Sequence, residues 1–317
     1  ESSNLEGKKY MQLSERNINL RELFFNLKIS NIYTKNSNDS ESIIKGKKVI
    51  INSNNDNPIS IISDGYEIIS NEEAYNYGLN CIRTLFKLQN SEKLEVFNII
   101  RPKTLSFCHI DIICPEKTFD FRNDSFMPFV RITNSYNKLF KLYFRVGICR
   151  SICENGMIFG EDSIKFSFNH NKGSKDKIHF DINSGDFDKI LNKFKNDIEV
   201  LSNNAFDFDY LVPMVYSGIG LNPKYKIQKA EEKEFLCKLD NKIIELTKIY
   251  EPELGNNFYS VYNIITDICT RGNEEETLLV SKIHNRQTRA GKWMQNITDL
   301  LRSNTFKYDI FLKEYLD

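Results

Sequence analysis

RITNSYNKLFKLYFRVGICRSICENGMIFGEDSIKFSFNH, residues 131–170, is the most informative stretch of this chain. Aromatic, basic and small residues alternate along it, and Asn155-Gly156 is a turn signal because both residue types tolerate positive φ. Successive side chains of a strand point to opposite faces, so residues 138–146 predict a strand with two unlike faces. The apolar face holds Phe140, Leu142, Phe144 and Val146, and the basic-aromatic face holds Leu139, Lys141, Tyr143 and Arg145.

A basic-aromatic face suits single-stranded nucleic acid, because phosphates attract cations and bases stack on rings. We therefore predict that Lys141, Tyr143 and Arg145 contact a single strand of DNA or RNA. Arg131 and Arg150 would hold phosphates, and the basic loop 169–177, with Lys172 and Lys175, would close over the strand. An ordinary half-buried strand with solvated Lys and Arg shows the same alternation, and the sequence leaves that interpretation open.

The overall charge of the chain gives no support to a global attraction to nucleic acid. The 317 residues contain 43 Lys and Arg against 43 Asp and Glu, so a cationic surface can only be local. Residues 131–180 carry nine basic and four acidic side chains, which permits such a surface. With 40% hydrophobic residues the chain is able to bury one large core or two smaller ones.

The seven cysteines form an odd set without a regular disulfide framework, which is typical of a reducing compartment. No apolar run approaches the ~18 residues of a membrane span, and residues 1–10 lack the apolar core of a signal peptide. We expect a cytoplasmic protein that does not enter a membrane. A homo-oligomer is compatible with the sequence.

The order of patterns along the chain predicts an α+β fold, in which a β-rich antiparallel body with packed helices is followed by a helical C-terminal portion. The predicted segments are an N-terminal extension with loops (1–58), an antiparallel α+β core (59–203) and a helical portion packed on the core (204–317). Strands are predicted at 48–51, 94–100, 105–114, 126–133, 138–146, 163–168 and 177–182, with a hairpin over 59–69.

Helices are predicted at 12–28, after residue 70, and at 187–201, 230–250, 258–270 and 274–301. The second begins with a capping box, because Ser70 and Glu73 are able to satisfy each other's backbone amides. Pro128 predicts that its strand lies at a sheet edge or contains a bulge, since proline cannot donate to a ladder.

Candidate chemistry is weak in this sequence. Cys149 and Cys153, with His170 and His179 downstream, have the residue types of a zinc site but not its usual spacing. A nuclease would need converging carboxylates, and the candidates are Asp111, Glu116, Asp120, Asp124, Glu161 and Asp162. We predict no catalytic residue, no metal site and no cofactor.

Several short motifs resemble the family of phage- and plasmid-borne proteins called domain of unknown function 932. They run in the same order along the chain and comprise Gly65-Tyr66, Ile68-Ile69-Ser70-Asn71, Arg101-Pro102, Asn134-Ser135-Tyr136, the block Arg150, Cys153, Glu154, Asn155, Gly156 and Met157, His170, Tyr262-Asn263 with Thr266, and Ala290-Gly291 with Trp293. The resemblance covers about residues 59–300. This chain departs from it at Tyr136-Asn137-Lys138, where relatives often carry His-Asp-Gly.

The resemblance implies mobile-element biology and lends no reaction. The leading hypothesis is a phage or plasmid protein that binds nucleic acid, and single strands in particular, without catalysis. Two alternatives stay open: an interaction protein that acts on a bacterial defence complex, and a metal-dependent nuclease.

Overall fold

The structure is a computed structural model, and it describes residues 20–35, 37–122, 124–151, 155–158, 163–183, 185–222, 230–271 and 280–316. The strands in this part of the chain are β1 (Leu27–Lys35), β2 (Glu41–Asn52), β3 (Pro58–Ser63), β4 (Glu95–Ile100), β5 (Phe107–Ile113), β6 (Phe119–Phe121), β7 (Asp124–Ser135), β8 (Leu142–Arg150), β9 (Asn155–Ile158) and β10 (Lys165–Phe168). The helices are α1 (Asn71–Leu85), α2 (Asp186–Asn203), α3 (Leu211–Ile219), α4 (Ala230–Leu254), α5 (Phe258–Arg271), α6 (Val280–Arg302) and α7 (Tyr308–Phe311). The predicted α+β class is confirmed.

The chain forms two compact units, each made of stretches that are separated in sequence. The first unit contains Glu1–Thr118, Met127–Arg145 and Lys165–Asp181, and the second contains Phe119–Phe126, Val146–Ile164 and Ile182–Asp317. Each of the three segments predicted from the sequence, in contrast, is one continuous stretch of chain. No helix among the described residues is both long and apolar enough to cross a membrane.

The first unit contains two antiparallel sheets. One has the strand order β1-β2-β3, and its core is Phe25, Ile50, Ile62 and Tyr136. The other follows the order β10-β8-β7-β5-β4. Helix α1 lies on this second sheet, where Gly78 brings the helix backbone against Ile132 and Ile112.

The predicted capping box at the start of α1 is confirmed. Ser70 Oγ accepts the Glu73 amide at 3.1 Å, and the Glu73 carboxylate accepts the Ser70 amide at 2.7 Å. Burial alone would raise the pKa of Glu73, but hydrogen bonds from Lys175 and Ser70 outweigh it and leave the pKa below its usual value.

The second unit is built mainly from helices α2 to α7, with β6 paired to the start of β7 and β9 paired to the end of β8. Its core is formed by residues that are almost completely buried, among them Phe194, Met214, Tyr262, Trp293 and Ile297. The rings of Tyr262 and Trp293 are stacked at a centroid distance of 6.2 Å, and the Trp293 indole donates to Ser217 Oγ at 2.9 Å.

The helix predicted at 12–28 is wrong over the residues that the structure describes, since only a short 3₁₀ turn (Leu20–Glu22) precedes β1. Leu23 and Phe25 are buried two residues apart, and this alternation prevails over the weak helical pattern. The strand predicted at 48–51 is longer than expected, because β2 spans Glu41–Asn52 and forms a long hairpin with β1.

The edge position predicted from Pro128 is also wrong, because β7 lies between β8 and β5. The β5 ladder ends where Ile113 pairs with Phe129, so Pro128 lies one residue beyond the last pair with β5. A proline that falls outside the ladder removes no bond from it.

Residues 177–182 were predicted as a strand but form no ladder. Phe180 instead contacts the rings of Phe144 and Phe166, at 4.9 and 5.2 Å between centroids. The predicted hairpin over 59–69 contains only its first strand, β3, and helix α3 was not predicted at all.

Candidate nucleic-acid interface

Strand β8 confirms the alternation that was read from the sequence. Leu142, Phe144 and Val146 are buried, whereas Tyr143 and Arg145 between them are partly exposed. The strand begins at Leu142 instead of Lys138, because Lys138 adopts φ +63° in a turn in which the Asn137 side chain accepts the Leu139 amide. Lys141 therefore lies just before the strand, and it is exposed.

Strand β10 extends the basic-aromatic face of β8. Lys165 pairs with Arg145 and Ser167 pairs with Tyr143, and paired residues of an antiparallel ladder share one face. Both β10 residues are exposed. We call the five residues Lys141, Tyr143, Arg145, Lys165 and Ser167 the basic-aromatic patch.

A cation–π contact organises this patch. Lys165 Nζ lies 4.6 Å from the centroid of the Tyr143 ring, within the ~6 Å over which such a contact is attractive. Strands β8 and β10 thus hold the Tyr143 ring and the Lys165 ammonium group in contact. The sequence did not point to Lys165 or Ser167, although their alternation with Phe166 and Phe168 was the signal that would have found them.

Arg145 adds positive potential beside the ring. Its pKa lies below the usual arginine value because burial penalises the charged form, and the neighbouring charge of Arg131 lowers it further. Arginine nevertheless remains protonated in proteins.

Arg131 does not reach the surface, which corrects the prediction that it holds phosphate. Its guanidinium is fully buried and donates to both carboxylate oxygens of Asp111, each at 2.6 Å. Asn98 Nδ2 donates to the same carboxylate at 3.3 Å. The residue that looked like a phosphate ligand is therefore one half of an internal ion pair.

Arg150 is buried in the same way, and the prediction that it holds phosphate is also wrong. It is 1% exposed and forms ion pairs with Asp124 and, at 2.7 Å, with Glu253. The Tyr259 hydroxyl donates to Asp124 Oδ2 at 2.9 Å. Asp111 and Asp124, two of the candidate nuclease carboxylates, are thus bonded to guanidinium groups.

The loop around Lys172 and Lys175 is anchored more firmly than a flexible tip would be. The Glu67 carboxylate accepts the backbone amide of Lys175 at 3.1 Å, and Lys175 Nζ forms an ion pair with Glu73 at 2.6 Å. Lys172 is exposed. Of the two predicted phosphate ligands in this loop, only Lys172 is exposed, because Lys175 is held by Glu73.

Asn155-Gly156 does not form the predicted turn. Both residues belong to β9, in which Asn155 pairs with Arg150 and Gly156 with Cys149. Among the described residues no group of three or more His, Cys, Asp or Glu side chains is placed to hold a metal ion. Cys149 is buried in β8, and His170 stacks on Tyr66 at 5.0 Å between ring centroids. Cys153, Glu161 and Asp162 lie outside the described residues.

Several residues that carry the family resemblance meet in one buried network in the first unit. Asn134 Nδ2 donates to Asn71 Oδ1 and to the Ile69 carbonyl, both at 2.9 Å, and the Tyr136 hydroxyl accepts the Asn71 amide at 2.9 Å. Tyr66 donates to the Ser135 carbonyl at 2.7 Å. The network joins the start of α1 to β7. These residues of the resemblance therefore have a structural role.

A second cationic feature lies on α2 in the second unit. It is a groove of about 780 Å³ lined by Lys189, Asn192, Lys193, Asn196, Glu199, Val200, Asn203, Asn204 and Arg302. None of these side chains is aromatic, so bases would find no ring to stack on. Among the described residues the basic-aromatic patch is the better match to a single strand.

Comparisons with protein families, with curated proteins and with solved structures give no match to this chain.

Proposed function

We propose that this chain is a cytoplasmic, non-enzymatic nucleic-acid-binding protein of a phage or plasmid that holds single strands on the basic-aromatic patch. The mobile-element origin rests on the motifs that resemble domain of unknown function 932. The binding mode rests on the contact between Lys165 and Tyr143, next to Arg145 and Lys141. A ring flanked by cations supplies both the stacking surface and the charge that a single strand requires.

The patch favours single strands over duplex DNA for a geometric reason. Tyr143 belongs to a sheet face and is only partly exposed, so it offers its ring to a base that is already unstacked. Reading a duplex would instead require an element that enters a groove. Specificity for a particular base sequence is not expected, since every base has a π-face.

Fluorescence anisotropy with labelled single-stranded DNA and RNA at two salt concentrations tests the proposal. The variant Lys141→Ala/Tyr143→Ala/Arg145→Ala should bind at least about tenfold more weakly, because one stacking contact is worth roughly 1–3 kcal/mol. The slope of log affinity against log salt should fall by about 1.4, from the ~0.7 that each phosphate contact to a single strand contributes.

The matched control is Lys307→Ala/Lys313→Ala/Tyr315→Ala. It removes two exposed cations and one partly buried tyrosine from another part of the chain, and it should bind like the wild type. Thermal unfolding of both triple variants shows whether the fold is kept. Anisotropy that stays flat for the wild type would contradict the proposal and would favour the protein-partner alternative, which a pull-down from bacterial lysate then examines.

A further inference from the structure

Strand β1 forms an open edge of the three-stranded sheet in the part of the chain that the structure describes, since the order is β1-β2-β3. It is nine residues long and contains no proline. Ile29 and Tyr33 on this strand are 52% and 56% exposed. A long edge strand with exposed apolar side chains is a template for pairing with another strand.

The other edge of the same sheet is protected. β3 has six residues and begins at Pro58, whereas β1 has nine residues and no proline. A register shift occurs in both ladders, between Asn31 and Tyr33 in β1–β2 and between Ile50 and Ile51 in β2–β3. Proline and a short edge strand are devices by which natural sheets prevent edge pairing. The contrast between the two edges indicates that β1 is kept available for a partner.

The sequence of β1 is complementary to itself when it runs antiparallel. If Asn31 lies opposite its own copy, Ile29 lies opposite Tyr33 on both sides of the symmetry axis. Aromatic and β-branched residues opposite each other are among the favourable cross-strand pairs. The two exposed apolar side chains of this strand are then covered together.

The charges on β1 fit the same register. Lys28 lies opposite Thr34 and Lys35 lies opposite Leu27, so no like charges face each other. A register centred on Ile32 would place Ile29 opposite Lys35, and one centred on Ser30 would place Ile29 opposite Asn31. Only the register centred on Asn31 pairs both apolar residues of the edge with each other.

We propose that β1 pairs with β1 of a second copy of this chain, antiparallel and about a two-fold axis at Asn31, so that two three-stranded sheets join into one sheet of six strands. A two-fold interface is isologous, which means that one surface meets its own copy. The backbone amides and carbonyls on the outer side of β1 supply the hydrogen bonds, as in other strand additions. The basic-aromatic patch contains no residue of β1, so this pairing does not use it.

A cysteine at position 31 reports directly on this register. Residues opposite each other in an antiparallel pair have Cα atoms about 4.5–5.5 Å apart, within the ~4.4–6.8 Å that a disulfide spans. In a chain with the exposed Cys237 replaced by Ser, Asn31→Cys should form a covalent dimer under mild oxidation. Ile61→Cys, which is also at an exposed position but lies on β3, should not.

Mass spectrometry of the linked peptides identifies the bond. A peptide joined through position 31 to position 31 supports the proposed register. A link that joins position 31 to another cysteine, or no link at all, overturns it.

Light scattering after nuclease treatment measures the state of the unmodified chain, without nucleic acid that could bridge two copies. The wild type should have twice the chain mass of 37.1 kDa. Ile29→Lys/Tyr33→Lys places lysines opposite each other and should give the monomer mass at the same concentration, whereas Ile61→Lys should remain a dimer. Both changes are at exposed positions, and circular dichroism checks that the fold is kept.

A wild type with the monomer mass overturns the proposal. So does a dimer that persists in Ile29→Lys/Tyr33→Lys, because it would show that the copies meet elsewhere. Neither result depends on nucleic-acid binding, which the anisotropy experiment measures separately.

Discussion

Arg131 and Asp111 are charged residues of alternating strands that belong to the interior. Both side chains are buried, and the two residues lie directly opposite each other in the β5–β7 ladder. Alternation predicts which residues share a face, but it does not say whether that face meets solvent. The ion pair depends on strand register, and one sequence does not give the register.

Removing one partner of this pair should be costly. Asp111→Ala leaves a buried guanidinium without its carboxylate, and we expect the free energy of unfolding to fall by about 3–5 kcal/mol. Urea unfolding measures the change. Asp120→Ala, at an exposed position on β6, is the control and should stay within about 0.5 kcal/mol of the wild type.

The double variant Asp111→Leu/Arg131→Met separates charge burial from lost packing. Because it leaves no unpaired charge, it should be considerably more stable than Asp111→Ala. A double variant that is less stable than the single one would show that the ion pair itself, and not the orphaned charge, carries the stability.

His170 gives the fold a dependence on pH. Burial lowers its pKa below the usual 6.5, and the backbone carbonyl of Glu67 offsets this only in part. As pH falls below 6.5, His170 takes up a proton more readily in the unfolded chain than in the folded chain. The free energy of unfolding therefore decreases as pH falls through 6.5. His170→Phe keeps a ring against Tyr66 and should flatten this part of the stability–pH curve, as measured by urea unfolding at several pH values.

At the scale of the element, α1 was the easiest part of the fold to predict. The capping box and the apolar stripe are both local, so the sequence contains all the information that the helix start requires. The place where the helix lies on the sheet depends on Gly78, and nothing local marks this glycine. Its backbone approaches Ile132 so closely that a methyl group would overlap that side chain.

Gly78→Ala should therefore destabilise the protein by roughly 1–3 kcal/mol, because overpacking at the helix–sheet contact outweighs the better helix propensity of alanine. Gly65→Ala is the control, since an added methyl group there would meet nothing within 4 Å. Thermal unfolding compares the two. A Gly78→Ala protein as stable as the Gly65→Ala protein would mean that α1 moves away from the sheet at little cost.

The alternation in β8 was also predicted correctly, because Leu142, Phe144 and Val146 are buried. Its first residue was placed too early, since the turn at Lys138 depends on side-chain hydrogen bonds that a pattern of hydrophobicity does not contain. The candidate site was predicted only in part, because the pattern does not show which cations form ion pairs inside the fold. Lys141, Tyr143 and Arg145 are accessible, whereas Arg131 and Arg150 are paired with carboxylates that are distant in sequence.

At the scale of the whole molecule, the class of fold follows from the order of patterns, and the division into units does not. Periodicity 2 in the first half and 3.6 in the second half is enough for an α+β prediction. The chain, however, passes from one unit to the other several times: residues 119–126 and 146–164 belong to the second unit, and residues 127–145 between them belong to the first. Such exchanges are set by long-range pairing, which no window of neighbouring residues reveals.

The contacts around Arg150 affect the order in which the chain folds during its synthesis. Its carboxylate Glu253 lies 103 residues further along the chain, and Tyr259, which completes the bond to Asp124, lies 135 residues from that aspartate. A ribosome delivers the arginine and Asp124 well before either partner, so the half-made chain carries this charged pair with its surroundings unfinished. The second unit therefore completes this cluster only after α5 has been translated, and a gene interrupted upstream of α5 would yield a polypeptide that exposes an unfinished core to chaperones and proteases.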